Sequence, residues 1–240
     1  MDGSLLLRRL RRRRYLALLI SLLLLAILHP MLAAPSVNQG MLSFFLSLVF
    51  LAAIFAVGQK RRPFLGALAL GIPALAVSWI AYTIARLRPD YANVVMLARD
   101  FNELLFLGFA IGVVLYDVLG DEEVGADKLC GAMCGYLMIG VAFAALYSML
   151  DLLQPDSFLM TVPENGDLDS LEPHGMAFST RLYYSFITLT TVGFGDIIPV
   201  TTAARTFSWL EAVCGQLYLA ILIARLVGLH IATTKRAPQE

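Results

Sequence analysis

Charge is what this chain has least of. Only 15% of its 240 residues are Asp, Glu, Lys or Arg, against 59% apolar residues and a mean hydropathy of +0.75. A soluble domain carries about 25% charged residues, so there is too little charge here to cover a water-facing surface. That excludes a soluble enzyme, and also a nucleic-acid-binding domain, which spreads basic residues over a folded face. Cysteine is scarce as well: Cys130 and Cys134 share one apolar run and Cys214 sits in another. A CxxxC spacing inside an apolar run matches neither a zinc site nor a thioredoxin motif, and these residues read as small packing groups. A zinc-binding HExxH, a nucleophile elbow and a Walker lysine are missing too. The expectation is no enzyme, no catalytic residue and no cofactor.

What is present is six long apolar runs. A helix needs about 20 apolar residues to cross the hydrocarbon core, and runs at 15–34, 41–57, 64–85, 91–119, 129–150 and 206–229 are candidates. The fourth is most apolar from 104 to 115, Pro73 predicts a kink in the third, and Glu211 and Arg225 interrupt the sixth. A seventh apolar segment, 176–190, with Arg181 as its one charge, reaches only about 22 Å as a helix. It is too short to cross, so it should enter the membrane and return. The predicted fold class is an all-α integral membrane protein of six spans and one half-span.

The formal net charge of zero becomes informative once its parts are placed on this topology. Arg8, Arg9, Arg11, Arg12, Arg13 and Arg14 precede the first run, and the excess of Lys and Arg on the cytoplasmic side predicts an N-terminus inside the cell. Lys60, Arg61 and Arg62, then Lys235 and Arg236, fall on the same side after an even number of spans. Arg86 and Arg88 fit badly, since they would face outward, and the inner loop at 120–128 is mostly acidic. A cleaved secretory signal is the alternative reading of the first run, with Ala33 and Ala34 as the small residues. Its apolar stretch, however, exceeds the usual length of about 7–15 residues. Only about nine residues follow Ile231, so no regulatory domain is expected there.

The half-span leads into Thr190-Thr191-Val192-Gly193-Phe194-Gly195-Asp196. Glycine tolerates positive φ, so glycines at 193 and 195 allow successive carbonyls to turn toward one line, with Val192 and Phe194 packed behind. Backbone at membrane depth is tolerated where it is buried in protein or lines a water-filled cavity. A row of carbonyls on a wet axis can replace the hydration shell of a cation.

TTVGFGD resembles the selectivity filter of potassium channels, whose common form is TVGYG; phenylalanine in place of the tyrosine is a variant within that superfamily. The resemblance covers 129–234, with outer helix, pore helix, filter and inner helix in the family's order and length. The chain as a whole resembles six-span bacterial-type potassium channel subunits. The resemblance implies a basic cytoplasmic N-terminus at 1–14, a four-helix membrane domain at 15–119 and a pore domain at 129–234. It implies a filter of Thr191, Val192, Gly193, Phe194 and Gly195. K⁺, the permeant ion, would be held by the carbonyls of Thr191, Val192, Gly193 and Phe194 and by the Thr191 hydroxyl. Asp196 would hold the filter's outer end, with the Tyr183 and Tyr184 hydroxyls as partners. Ile187 departs from the pattern: some bacterial channels carry there a glutamate that pairs with the aspartate, and their filter inactivation need not carry over. Gly215 stands where inner helices carry a hinge glycine, and Gln216 and Leu219 are candidates to line the cavity. One filter strand cannot surround an ion, so a homotetramer is implied, in a membrane that is expected to be the bacterial inner membrane, with both termini cytoplasmic. Anionic lipid at the N-terminal arginines is a candidate partner, and nucleic acid is not. The alternatives are a weakly selective cation channel and a non-conducting membrane scaffold.

Voltage sensors of the family carry several arginines at every third position of the fourth span, whereas this run offers Arg99 followed by Asp100 and Glu103. One charge crossing 100 mV yields about 2.3 kcal/mol, so four subunits supply roughly 9 where steep gating needs tens. The three residues read as a polar cluster or as lying at the outer interface. Glu211 is read as a bond to the pore helix ahead of a proton sensor, with Arg181 either its partner or facing outer water. Arg225 and His230 read as snorkelling side chains, and the Gly108–Gly112 and Gly131–Gly135 spacings as close helix contacts. Asp151, Asp156, Glu164, Asp167, Asp169 and Glu172 lie in a stretch without Lys or Arg. They would concentrate cations at the outer mouth, against the simpler reading of a screened, solvated loop. Neutralising them should lower single-channel current at low salt and leave it unchanged at high salt; equal currents at low salt discard the focusing role.

Overall fold

In the computed structural model, residues 14–32, 38–58, 61–120, 125–160 and 176–236 are described. Among them, six helices are long and apolar enough to cross a membrane. The arginines at 8–13, the acids at 164–172, Lys60 and the small residues at 33–34 lie outside the described residues. Helix α1 covers 14–32 as Arg14–Leu23 and His29–Leu32 with a π turn, Leu24–Leu28, between them. Pro30 accounts for the turn: it donates no N–H and crowds the carbonyl four residues back, and a widened turn just before it gives the ring room. Next come α2 (Asn38–Val57), α3 (Arg61–Leu87) and α4 (Ala92–Val118), then α5 (Ala126–Leu153) and strand β1 (Phe158–Met160). The half-span is α6 (Phe178–Leu189), followed by strand β2 (Ile197–Pro199) and the last helix, α7 (Thr202–Arg236).

Helix α3 runs on through Pro73 without a break. The helices exceed the apolar runs at their ends, most clearly at α5 and at α7, which begins at Thr202. Hydropathy marks where a helix leaves the hydrocarbon, and polar residues such as Asp127, Lys128 and Asp151 continue the helix beyond it. Thr201 starts α7 by accepting the Ala204 N–H on its hydroxyl at 3.3 Å, which satisfies one of the unpaired first-turn donors.

Strands β1 and β2 pair antiparallel, with Phe158 opposite Pro199, Leu159 opposite Ile198 and Met160 opposite Ile197. The Val200 N–H also donates to the Ser157 carbonyl at 2.8 Å. The residues just after α5 therefore lie beside those just before α7. The chain goes in along α6 and comes back to the end it started from, as a half-span must. This ribbon was not legible in the hydropathy pattern, which reads all-α.

One hydrophobic core runs through most of the molecule. It joins Tyr15, Leu18, Leu22 and Leu25 of α1 to Leu46 and Phe50 of α2, Phe106, Leu107 and Val114 of α4, Cys134 and Met138 of α5, and Phe178 and Leu182 of α6. Helix α1 packs on α2 and α5, α4 lies along α5, and α3 fills the outside between α2 and α4. The stretches 15–119 and 129–234 thus share a core. At one end of the bundle Arg14 bonds to Asp117 and lies 3.7 Å from Asp127, while the Tyr15 hydroxyl donates to Asp117 at 2.8 Å and its N–H to Asp127 at 3.2 Å. This ties α1 to both α4 and α5. Arg99 is buried in a polar cluster: its Nε and Nη2 donate to Asp100 at 3.0 and 2.7 Å, and Glu103 is 3.6 Å away.

The glycine pairs divide. A Cβ on Gly131 would stand 2.9 Å from the Tyr15 ring, and one on Gly135 would stand 2.6 Å from the Tyr218 hydroxyl. A Cβ on Gly108 or Gly112 meets nothing within 4 Å, so the close contact expected at that pair is not made within this chain. Gly131→Val should therefore lose about 1–3 kcal/mol of stability through overpacking, and Gly108→Ala should lose nothing. Thermal unfolding of the two variants in detergent checks the contrast, which fails if both shift alike.

Candidate functional site

The site is built on the half-span. Helix α6 has no side-chain cap; instead the Asp151 carboxylate at the end of α5 accepts the Met176 N–H at 3.1 Å. Arg181 donates to the Met176 carbonyl and stands 3.9 Å from Asp151. Arg181 is therefore engaged at the start of α6, and Glu211 has other partners. Glu211 on α7 is fully buried, its Oε1 accepting from Ser185 and its Oε2 from Tyr147, each at 2.5 Å. Ser185 also bonds to the Gly140 carbonyl at 2.8 Å. A single carboxylate thus joins the inner helix, the half-span and α5.

Tyr183 and Tyr184 part company. The Tyr183 hydroxyl donates to Asp196 at 2.7 Å, and this bond to a carboxylate pushes its phenol above the ordinary pKa. Tyr184 faces the other way and shares a 2.7 Å hydrogen bond with Ser208 of α7. Its ring packs edge-on against Tyr147 and Phe158, with centroids 5.1 and 5.2 Å apart. The expectation that both hydroxyls serve Asp196 is corrected to this extent: residues 183 and 184 are one position apart on a helix and cannot face the same side. Asp196 also accepts the Ile197 N–H at 3.1 Å, at the first residue of β2.

Between α6 and β2 the backbone leaves regular structure in a defined way. Thr191 N–H donates to Thr188 at 2.9 Å, while the Ile187 carbonyl accepts both Val192 and Gly193 N–H at 2.9 and 3.1 Å. Positive φ recurs at every second residue: 59° at Thr191, 53° at Gly193 and 80° at Gly195. The two glycines were expected there. Thr191 was not, because a β-branched residue at positive φ is a genuine outlier, and such strain costs about 1–3 kcal/mol. Val192 and Phe194, expected to pack behind the loop, are 53% and 71% exposed, so the elements of their own chain do not cover them.

Gly215 is explained by proximity. A Cβ there would overlap the Leu189 carbonyl, so only glycine lets α7 approach the end of α6, and α7 continues unbroken through it. The next residue, Gln216, donates from Nε2 to the Thr191 hydroxyl at 3.2 Å. Leu219, one turn on, is exposed. The site thus offers backbone carbonyls and one hydroxyl on a loop held at both ends. Among the described residues no cluster of three or more His, Cys, Asp or Glu could hold a metal ion.

The family model described as "Ion channel" matches residues 131–230. That stretch is similar to the ion channel family over less than half of the chain. The chain is similar to the voltage-gated potassium channel regulatory subunit KCNF1 of Rattus norvegicus, with 26% identity over 102 residues, or 42% of this chain and 17% of that protein. The same identity and coverage hold for the Homo sapiens protein of that name. The two pore potassium channel c of Oryza sativa subsp. japonica is 32% identical over 88 residues, 37% of this chain and 19% of that protein. The chain spans less than a fifth of the length of these curated relatives. No solved structure matches.

The matched stretch takes in nearly all of α5, then α6, the 191–196 loop, β2 and α7 up to residue 230, and leaves out α1 to α4. The family it matches is one of ion channels, not an enzyme class. One bond of the stretch crosses its boundary: Arg225 of α7 donates to the Gly120 carbonyl just past the end of α4. Arg225 thereby bonds a carbonyl near a helix C-terminus, where cations are favoured. The sequence reading missed Ser185, Tyr147 and Ser208, whose only signal is a hydroxyl in an otherwise apolar helix. Glu211→Ala leaves the buried Tyr147 hydroxyl without its carboxylate partner and Ser185 with the Gly140 carbonyl alone; it should cost about 2 kcal/mol, with Glu211→Gln nearer about 1 kcal/mol. Heat-induced loss of folded protein in detergent measures both; equal small losses would show that the bonds contribute nothing.

Proposed function

We propose that this chain is the subunit of a homotetrameric potassium channel that lets K⁺ diffuse down its gradient. The observation that carries the reading is the alternation of positive φ at 191, 193 and 195 within TTVGFGD, at the end of a half-span helix. Alternation of backbone hand turns successive carbonyls to one side, which an extended strand does not do. The carbonyls of Thr191, Val192, Gly193 and Phe194, with the Thr191 hydroxyl, replace the hydration shell of K⁺, and Gly195 completes the loop. Asp196 and Tyr183 brace its outer end. Tyr184 braces α6 against α7 from behind. Gly215 is the hinge position of the inner helix, and Gln216 and Leu219 face the cavity below the filter.

Exposed apolar surface supports the oligomer. Only 17% of the α7 span is buried within the chain against 50% for α5. Trp209, Val213, Leu217, Ile221 and Ile223 of α7 are exposed, together with Val192 and Phe194. A lipid face accounts for some of these, but Val192 and Phe194 sit on the filter itself and need protein behind them. Three further copies around a four-fold axis supply it. The basic N-terminal sequence favours both termini in the cytoplasm of a bacterial cell, with anionic lipid as a partner of its arginines. The chain then divides into a basic N-terminus at 1–14, a four-helix unit at 15–119 and the pore at 129–234. Arg99 carries Asp100 and Glu103 on its own helix, so any displacement of α4 moves little net charge and gating is not steeply voltage-dependent.

Purified protein in liposomes tests this. K⁺ flux is expected, with a reversal potential that shifts when Na⁺ replaces K⁺ and a conductance that changes shallowly between −100 and +100 mV (roughly the range over which one charge gains about 2.3 kcal/mol per 100 mV). No shift on replacing K⁺ marks a weakly selective cation channel; no flux under varied pH, voltage and lipid marks a non-conducting scaffold.

A further inference from the structure

The bond from Gln216 to Thr191 has a consequence that the filter alone does not imply. Thr191 is the first residue of the loop and, among residues 191–195, the one whose side chain presents an oxygen alongside its carbonyl. The hydrogen of such a hydroxyl rotates to suit its surroundings, while the β-branched side chain holds the oxygen itself in a restricted rotamer. Left alone, its proton and lone pairs have no fixed direction. The Gln216 amide donates to that oxygen at 3.2 Å from a helix whose backbone is pressed against the end of α6 by the missing Cβ of Gly215. The donor is thus placed by the inner helix and the acceptor by the loop, so the bond connects the two.

We infer that Gln216 is a specificity-determining positioning residue: its amide fixes the Thr191 hydroxyl and so sets the innermost ring of oxygens that a dehydrated cation meets. The inference rests on the proposed potassium-channel reading. An oxygen that accepts an N–H keeps a lone pair for a cation while its direction is fixed. Discrimination between K⁺ and Na⁺ depends on the size of the oxygen cage or on the number and field strength of its dipoles, and the bond acts on both. Holding the hydroxyl limits how far the ring can contract around a smaller ion, and an amide dipole on each oxygen changes the field the ion feels. Gln216 itself does not need to touch the ion.

Leucine or methionine at 216 removes the donor; methionine keeps the length and shape of the glutamine side chain, so lost packing is separated from lost hydrogen bonding. Position 216 is exposed within the chain and sits in an apolar helix, so both variants are compatible with the fold. The experiment uses the full chain reconstituted in liposomes, with assembly checked by size-exclusion chromatography and the K⁺/Na⁺ permeability ratio taken from the reversal potential. Gln216→Leu and Gln216→Met should each lower the ratio about tenfold, the equivalent of a hydrogen bond of about 1.4 kcal/mol. Thr191→Ala removes the acceptor, and in that background Gln216→Leu should change nothing further, as expected of residues that act as one unit.

An unchanged ratio in assembled Gln216→Leu and Gln216→Met overturns the inference. So does an undiminished effect of Gln216→Leu in the Thr191→Ala background, because the amide would then act on the ion directly. If neither single variant assembles, Gln216 is a structural residue and the inference also falls. A wild-type protein that does not prefer K⁺ to Na⁺ is a different outcome, since it removes the potassium-channel reading itself.

Discussion

Residues 191–195 have left helix α6 and have not yet joined strand β2, so their backbone groups cannot be satisfied by regular secondary structure at membrane depth. Most of the surrounding geometry follows from that constraint. At the inner end, the Ile187 carbonyl takes two N–H groups of the loop. At the outer end, Asp196 gathers the Tyr183 hydroxyl and the Ile197 N–H. Behind it, Glu211 fixes the half-span to both neighbouring helices through Ser185 and Tyr147. Below it, Gly215 admits α7 to the end of α6. Between these supports the backbone alternates in hand, with positive φ at Thr191, Gly193 and Gly195.

These supports differ in how they could be read in advance. Spans were legible because a run of about 20 apolar residues has few other uses, and the half-span because its length fails that requirement. Gly193 and Gly195 announced positive φ by their identity; Thr191 adopts the same conformation against its own preference and carried no signal. The Tyr183–Asp196 bond was expected from the resemblance to potassium-channel filters, and it is made. A bond from Glu211 to the half-span was also expected and is made to Ser185, whereas its bond to Tyr147 reaches 64 residues along the chain and the Arg225 bond 105, distances over which local pattern says nothing. The ribbon of three residues against three is too short to leave a period of its own.

The first four helices are not an independent attachment. Tyr15 and its neighbours on α1 fill the same core as Cys134 and Met138 of α5, and Gly131 is needed so that the Tyr15 ring can lie against α5. Arg14 and Tyr15 add bonds to Asp117 and Asp127 across both parts. Each chain therefore completes its own packing between α1, α4 and α5, leaving α7 as the helix whose apolar surface is least used.

The antiparallel ribbon also changes how the stretch between α5 and α7 should be regarded. With Ser157 bonded to Val200 and three residue pairs beyond it, the two helices form the arms of a hairpin, and everything from 158 to 199 is an excursion whose mouth is already closed. Chain-closure entropy grows only slowly with length, about 0.6 kcal/mol per doubling. Met160 is held by the ribbon and Met176 by the Asp151 carboxylate, so a change in the number of residues joining them costs little. The loop geometry that matters is thereby insulated from insertion and deletion in the connection that leads to it.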